Sequence, residues 1–146
     1  MNRAIAFFAL LVLSLPFGVG IAQTEPSTVP GSIKLLPGYH YEKEVGVDSF
    51  AGKIWKKGGV EIEHDIGALA GNYADCKTCG WNDGELWRKK QTVNGHEAIV
   101  VLTKSKRLIV VFPESKANFY ATIHTEEDLA DALLMLCTFQ KMTVSY

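Results

Sequence analysis

The chain has 146 residues, of which 47% are hydrophobic and 21% are charged, and its formal net charge is −1. The length fits one domain with a sizeable core, and the composition excludes collagen-like, disordered and disulfide-dense proteins. The chain has 15 basic and 16 acidic residues, so it lacks a bulk positive field, which argues against nucleic-acid binding through the phosphate backbone.

The N-terminal segment has the three-part layout of a secretory signal peptide. Met1 to Arg3 is short and basic, residues 4–15 are almost wholly apolar, and small residues lead up to Ala22. An uncleaved membrane anchor is the alternative, but the apolar run is short for a bilayer span. We therefore expect a signal peptide at 1–22, a secreted or periplasmic product, and no stable membrane insertion after cleavage.

A flexible leader is predicted at 23–31, because this segment is rich in Pro, Ser and Thr. Residues 32–146 are predicted to form a single α+β domain. Loss of Arg3 with the signal peptide leaves 14 basic against 16 acidic residues, a net charge of −2.

The first half of this domain contains a predicted hairpin. Apolar and charged residues alternate over 60–66, which predicts a strand with one apolar face. The Gly-Gly pair at 58–59 predicts a two-residue turn back to a strand at 52–57. In that register Trp55 lies opposite Ile62.

Glu61, Glu63 and Asp65 share the polar face of the second of these strands. A cation site or an acid–base pair is one interpretation of this pattern. The same register places Lys56 opposite Glu61, however, and this pairing favours a solvated charged face.

His64 falls on the apolar face of the same strand. The pattern places no carboxylate or serine beside it. We therefore predict a hydrogen-bonded core histidine in preference to a metal ligand or a general base.

A second hairpin is predicted around Asn94-Gly95, because both residues tolerate positive φ in a type I′ turn. It joins strands at 86–93 and 96–103 and places Trp87 opposite Leu102.

Two further strands, at 108–112 and 117–123, complete a predicted antiparallel meander. Residues 98–102 are apolar on both faces, as expected of an inner strand. Lys89 and Lys90 mark their own strand as an edge.

One helix follows the meander. Thr125 and Asp128 have the spacing of a capping box, and the apolar stripe that begins at Leu129 includes Cys137. The predicted architecture is α+β: an antiparallel sheet of about six or seven strands with a C-terminal helix packed on one face.

Cys76 and Cys79 form a CxxC motif. A thiol–disulfide oxidoreductase needs this motif at the start of a helix, and a zinc knuckle needs a second ligand pair; neither context is evident. A local disulfide in an exported chain is favoured, although pairing with Cys137 remains open. We predict that Cys137 is a buried, inert thiol.

Candidate ligand-binding residues come from a basic cluster beside aromatic side chains. If Trp87 lies opposite Leu102, Arg88 lies near a turn that contains Lys104, Lys106 and Arg107. With Trp87 or Trp81, these side chains are suited to an anionic or sugar-like ligand. The alternative is an ordinary charged rim that keeps the edge of the sheet soluble.

The segment 65–84 is the longest stretch without clear periodicity, and it contains both cysteines of the CxxC motif. Loops on a rigid sheet are where binding usually resides, so a site is expected there first.

Enzyme motifs such as GxSxG, the Walker loop, GxGxxG and HExxH are absent from the sequence, and catalytic residues remain unknown. The sequence therefore favours an exported, non-enzymatic binding or accessory module without a cofactor. Its expected partner is a protein or a small molecule, and no nucleic acid is expected. The alternative is a thiol-redox or zinc-binding protein that acts through Cys76 and Cys79.

Overall fold

The computed structural model describes residues 29–46, 48–67, 70–76 and 83–141. The predicted signal peptide, residues 23–28 of the predicted leader, Cys79 and Trp81 lie outside these ranges.

The described residues form a seven-stranded antiparallel sheet and one α-helix, which confirms the predicted α+β architecture. The order in the sheet is β1-β2-β3-β7-β6-β5-β4. The elements are β1 (His40–Glu44), β2 (Phe50–Trp55), β3 (Ile62–Ile66), β4 (Glu85–Val93), β5 (His96–Thr103), β6 (Arg107–Phe112), β7 (Ala117–Thr122) and α1 (Glu126–Leu136).

The sheet consists of two meanders that join where β3 pairs with β7. His64 lies opposite Phe119, and Ile62 lies opposite Ala121. Both strands alternate between apolar and polar residues, so this pairing places their apolar side chains on one face. We call the face that carries these residues and α1 the helix face, and the opposite face the second face.

The predicted register of the β2–β3 hairpin was wrong by one residue. Ile54, not Trp55, lies opposite Ile62. The turn begins one residue earlier than predicted, because the amide of Gly59 donates to the carbonyl of Lys56 (3.1 Å) and Gly58 adopts φ 75°. A slip of one residue exchanges the two faces of a strand.

This register gives Trp55 and Lys56 partners that the sequence did not predict. Trp55 lies on the second face beside His40, with 6.0 Å between the ring centroids. The Lys56 ammonium lies 2.8 Å from the Asp131 carboxylate of α1. It therefore ties the hairpin to the helix and does not neutralise Glu61.

The β4–β5 hairpin confirms the prediction from Asn94-Gly95. Both residues have positive φ (50° and 83°), and Trp87 lies opposite Leu102. The Asn94 side chain has an additional role, because its Nδ2 donates to the carbonyls of Cys137 (3.1 Å) and Phe139 (2.9 Å). It thereby caps the C-terminal end of α1.

This double role of Asn94 predicts a graded loss of stability. Asn94→Gly keeps the positive φ but removes both hydrogen bonds, and we expect it to lower the free energy of unfolding by about 1–2 kcal/mol. Asn94→Val adds the strain of a β-branched residue at positive φ, about 1–3 kcal/mol more. Urea denaturation measures both values. Equal stability of Asn94→Gly and the wild type would contradict the capping role.

The helix begins as predicted, with a complete capping box between Thr125 and Asp128. The prediction of a buried Cys137 was wrong, because its thiol is free and exposed. The helix ends at Leu136, and the chain then turns so that Phe139 enters the core. The buried stripe is centred on Ala132, Met135, Leu136 and Phe139.

The core on the helix face contains three packed aromatic rings. Phe112 stacks on Phe139 with 3.9 Å between centroids, and Phe119 meets both rings edge-on. Pro30 and Gly31, which were assigned to the leader, are buried, and the carbonyl of Gly31 accepts from Gln140 (2.7 Å). In the part of the chain that the structure describes, no helix has the length and apolarity to cross a membrane.

Candidate functional site

The second face of the sheet has an apolar centre that is covered by a short segment of chain. Ile99, Val101, Ile109 and Val111 are all less than 5% exposed on this face. They pack against Tyr73 and Ala74. We call residues 70–76 the cover segment. The cover segment lies within the 65–84 stretch where a binding loop was expected. It packs on the second face of the sheet and so completes a second hydrophobic core there.

Asn118 fastens the cover segment to the sheet. Its side chain is completely buried. Nδ2 donates to the carbonyl of Gly71 (2.9 Å), and Oδ1 accepts from the amide of Tyr73 (3.0 Å). One amide side chain thus satisfies two backbone groups that the sheet cannot pair.

Tyrosine–carboxylate pairs flank this amide. The Tyr73 hydroxyl donates to Asp65 Oδ2 (2.5 Å), and burial together with this bond raises the pKa of Tyr73 to about 12. Burial, and then the negative charge of Glu63, raise the pKa of Tyr120. Glu63 and Asp65 are half-buried and engaged with tyrosines. The prediction that Glu61, Glu63 and Asp65 form a solvated face was therefore wrong for Glu63 and Asp65, which contact Tyr120 and Tyr73, whereas Glu61 is exposed.

Arg88 holds the other side of the cover segment. Its guanidinium donates to the carbonyl of Ala74 (2.5 Å), to Asp75 (3.2 Å) and to Glu85 (2.7 Å). The Glu85 hydrogen bond raises the pKa of Arg88, and the same bond lowers the pKa of Glu85. Arg88 is thus engaged within the fold.

The predicted basic cluster is divided between the two faces of the sheet. Trp87 lies on the helix face opposite Leu102, whereas Arg88 lies on the second face opposite Val101. Arg107 lies over the ring of Tyr120 at 6.0 Å. Lys104 is exposed in the turn after β5, and Trp81 lies outside the described residues.

Cys76 is the last residue of the cover segment; it directly follows the 3₁₀ turn at Tyr73–Asp75 and is half-buried. Cys76 has an interaction partner within the fold. Because Cys79 lies outside the described residues, its pairing with Cys76 stays a prediction.

His64 is a core residue, 2% exposed. Its ring stacks against Tyr41 (5.7 Å) and Phe50 (5.8 Å). The prediction of a core histidine is confirmed, but neither ring nitrogen makes a hydrogen bond of good geometry with a described residue, and the nearby backbone of Phe50 only partly offsets the effect of burial on its pKa. Burial lowers the pKa of His64 to about 4. A Cβ at Gly52 would lie 2.8 Å from Nε2, so the ring requires a glycine there.

A groove of about 360 Å³ lies between the β2–β3 turn and the start of α1. Its charged groups already have partners. Asp128 accepts from the amides of His124 (3.1 Å) and Thr125 (2.9 Å), and Asp131 binds Lys56 and the Tyr39 hydroxyl. The Asp131 hydrogen bond raises the pKa of Lys56, which keeps this amine protonated and poorly nucleophilic.

The edge strand β4 presents side chains that the fold leaves exposed. Leu86 is 60% exposed and Trp87 is 45% exposed. Lys89 forms no ion pair with any described residue, and Lys90 only approaches Glu97 at 3.9 Å. We call Leu86, Trp87, Lys89 and Lys90 the β4 edge surface.

Sequence reasoning named Trp87 as a candidate but overlooked Leu86. Leu86 is the irregular residue where the β4–β5 pairing shifts between Glu85 and Trp87. A β-bulge changes the direction of a side chain, so strict alternation along the strand does not predict where Leu86 points. The adjacent Leu-Trp pair on a strand marked as an edge was the available signal.

No protein-family model, curated protein or solved structure matches this chain.

Proposed function

We propose that this chain is an exported, non-enzymatic binding module that contacts its partner through the β4 edge surface. Export rests on the signal-peptide layout of residues 1–22. The observation that carries the binding role is the exposure of two adjacent large apolar side chains, Leu86 and Trp87, on an edge strand.

The charged and titratable side chains outside the β4 edge surface have structural roles, which supports binding at that surface. Lys56, Arg88 and Asp131 are held in their charged forms by partners within the fold. His64 is enclosed by aromatic rings and lies away from solvent. These groups stabilise the domain, whereas Trp87 has apolar area available to a partner, and tryptophan often contributes most of the affinity of an interface.

The proposal is tested by comparing two double variants that each remove two exposed apolar side chains. Leu86→Ser/Trp87→Ala alters the β4 edge surface, and Val45→Ser/Leu134→Ser alters the other two exposed large hydrophobic side chains of the described residues. Each exported chain is immobilised and incubated with an envelope extract of the producing organism. Retained proteins are quantified by mass spectrometry.

We expect at least one protein to be retained equally by the wild type and by the Val45/Leu134 variant, and about tenfold less by the Leu86/Trp87 variant. Equal retention by all three chains, or no retained protein, would contradict the proposal. Urea denaturation of each variant verifies that the fold is intact.

Thiol-redox or zinc chemistry at Cys76 and Cys79 remains the alternative proposal, and thiol titration with metal analysis separates it from the first. The binding module is expected to show one reactive thiol per chain, that of the exposed Cys137, and no zinc. Three reactive thiols, or stoichiometric zinc, would favour the alternative.

A further inference from the structure

We propose that the β4 edge surface binds an extended acidic peptide, which adds to the sheet as an eighth strand antiparallel to β4. This inference rests on the proposed binding function and names the chemistry of the partner. The partner carries two consecutive acidic residues followed, two positions later, by an apolar residue.

The backbone of β4 supplies the first argument. β4 is nine residues long and lies at the end of the sheet order, so β5 is its only strand neighbour in the part of the chain that the structure describes. Within the described ranges, no backbone hydrogen bond reaches its outer edge. Alternate residues of such an edge offer N–H and C=O groups to an incoming strand.

The side chains supply the second argument. Lys89 lies on the helix face opposite Val100, and Lys90 lies on the second face opposite Ile99. The charge of Arg88, which precedes Lys89 on the strand, is already compensated by Glu85 and Asp75. Lys89 forms no ion pair with a described residue, and Lys90 has one long, solvent-exposed contact with Glu97 at 3.9 Å. One exposed positive charge on each face is therefore available to the strand that pairs with β4, and the two charges match two consecutive acidic residues.

Trp87 determines the apolar residue of the partner, which follows the two acidic residues after one intervening position. It shares the helix face with Lys89 because the two residues are two positions apart on one strand. An antiparallel partner therefore meets Lys90, Lys89, Arg88 and Trp87 in that order. A β-branched residue opposite Trp87 makes a favourable cross-strand pair.

The same charges disfavour a second copy of this chain at β4. Antiparallel pairing of two β4 strands centred on Lys89 would place Lys89 opposite its own copy and Lys90 opposite Arg88. Like charges directly opposite each other are destabilising. The other edge strand, β1, has five residues, and its Glu42 and Glu44 both approach Lys53, at 3.6 and 3.8 Å.

Blocked synthetic hexapeptides test the inference by calorimetry with the exported chain. The acidic probe is Thr-Thr-Glu-Glu-Thr-Ile, and the basic control is Thr-Thr-Lys-Lys-Thr-Ile. We expect only the acidic probe to bind the wild type. Lys89→Glu/Lys90→Glu should reverse this preference, and the acidic probe should bind it about tenfold more weakly or less. The matched control Lys34→Glu/Lys57→Glu reverses two exposed lysines that lie outside β4, and it should bind like the wild type.

Backbone methylation distinguishes strand addition from simple charge attraction. Two forms of the acidic probe carry N-methyl groups at alternate residues, in opposite phase. Strand addition predicts that one form loses binding and the other keeps it, because only one set of amides faces β4. Equal binding of both forms would overturn the inference.

Other occupants of the edge are outcomes of the same experiment. Self-association in sedimentation that the Lys89/Lys90 variant abolishes would assign the edge to a second copy and overturn the inference. Binding to vesicles of anionic phospholipid, without binding of the acidic probe, would assign it to a membrane surface. If the acidic probe does not bind while retention of envelope proteins still requires Leu86 and Trp87, the peptide inference fails and the proposed binding function stands.

Discussion

Replacing Asn118 by alanine is expected to lower the free energy of unfolding by about 2–4 kcal/mol, because it leaves two part-buried backbone groups without their partners and a space where the buried side chain was. The carbonyl of Gly71 loses a donor at 2.9 Å, and the amide of Tyr73 loses an acceptor at 3.0 Å. Asn118→Asp should cost more, since it places a second carboxylate beside Asp65. Urea denaturation followed by tryptophan fluorescence measures both changes.

Thr122→Ala is the matched control for this prediction. Thr122 lies on the same strand and the same face as Asn118 but is exposed, so its truncation is expected to change stability by less than about 0.5 kcal/mol. Limited proteolysis provides a second measurement, because a released cover segment should be cleaved faster. If Asn118→Ala is as stable and as resistant as Thr122→Ala, the cover segment is not held by this amide.

His64 is expected to make the protein sensitive to mild acid. Its pKa is lowered to about 4 in the folded chain, while in the unfolded chain it is near 6.5. The unfolded state therefore binds more protons between these pH values, so stability is complete above pH 6.5 and falls as the pH decreases toward 4. A shift of this size corresponds to about 3 kcal/mol.

Urea denaturation at several pH values between 4 and 7 measures this contribution. His64→Gln and His64→Leu remove the titrating group, so their stability should vary less over this range than that of the wild type. His124→Gln, which removes an exposed histidine, should retain the wild-type dependence. Tyr41, Phe50 and Phe119 surround the ring, and the negative charge of Asp65 opposes the lowering of its pKa. An unchanged pH dependence in both His64 variants would contradict this account.

Much of the fold could be predicted from local sequence patterns. Asn94-Gly95 determines its hairpin because few residue pairs accept two positive φ angles, and the alternation of residues 117–123 identifies the apolar face of β7. The β2–β3 register failed because Gly58 and Gly59 both permit a turn. The choice depended on Ile54 meeting Ile62 in the core, which is a tertiary effect.

The site was harder to predict because it depends on which surfaces the chain covers. Asn118 shares the polar face of its strand with Tyr120 and Thr122 and so resembles a solvent-facing residue, yet it is completely buried. One signal was available: residues 98–102 and 108–112 are apolar on both faces, which requires a cover on the second face. Placing Trp87 and Arg88 in one cluster overlooked the fact that consecutive strand residues point to opposite faces.

Partner retention by the two apolar double variants tests the central claim, that the β4 edge surface is where this domain binds, most directly. The account predicts that Leu86→Ser/Trp87→Ala loses about nine-tenths of the protein retained by the wild type, while Val45→Ser/Leu134→Ser loses little. Equal retention by two folded variants would contradict it and would direct attention to another part of the chain.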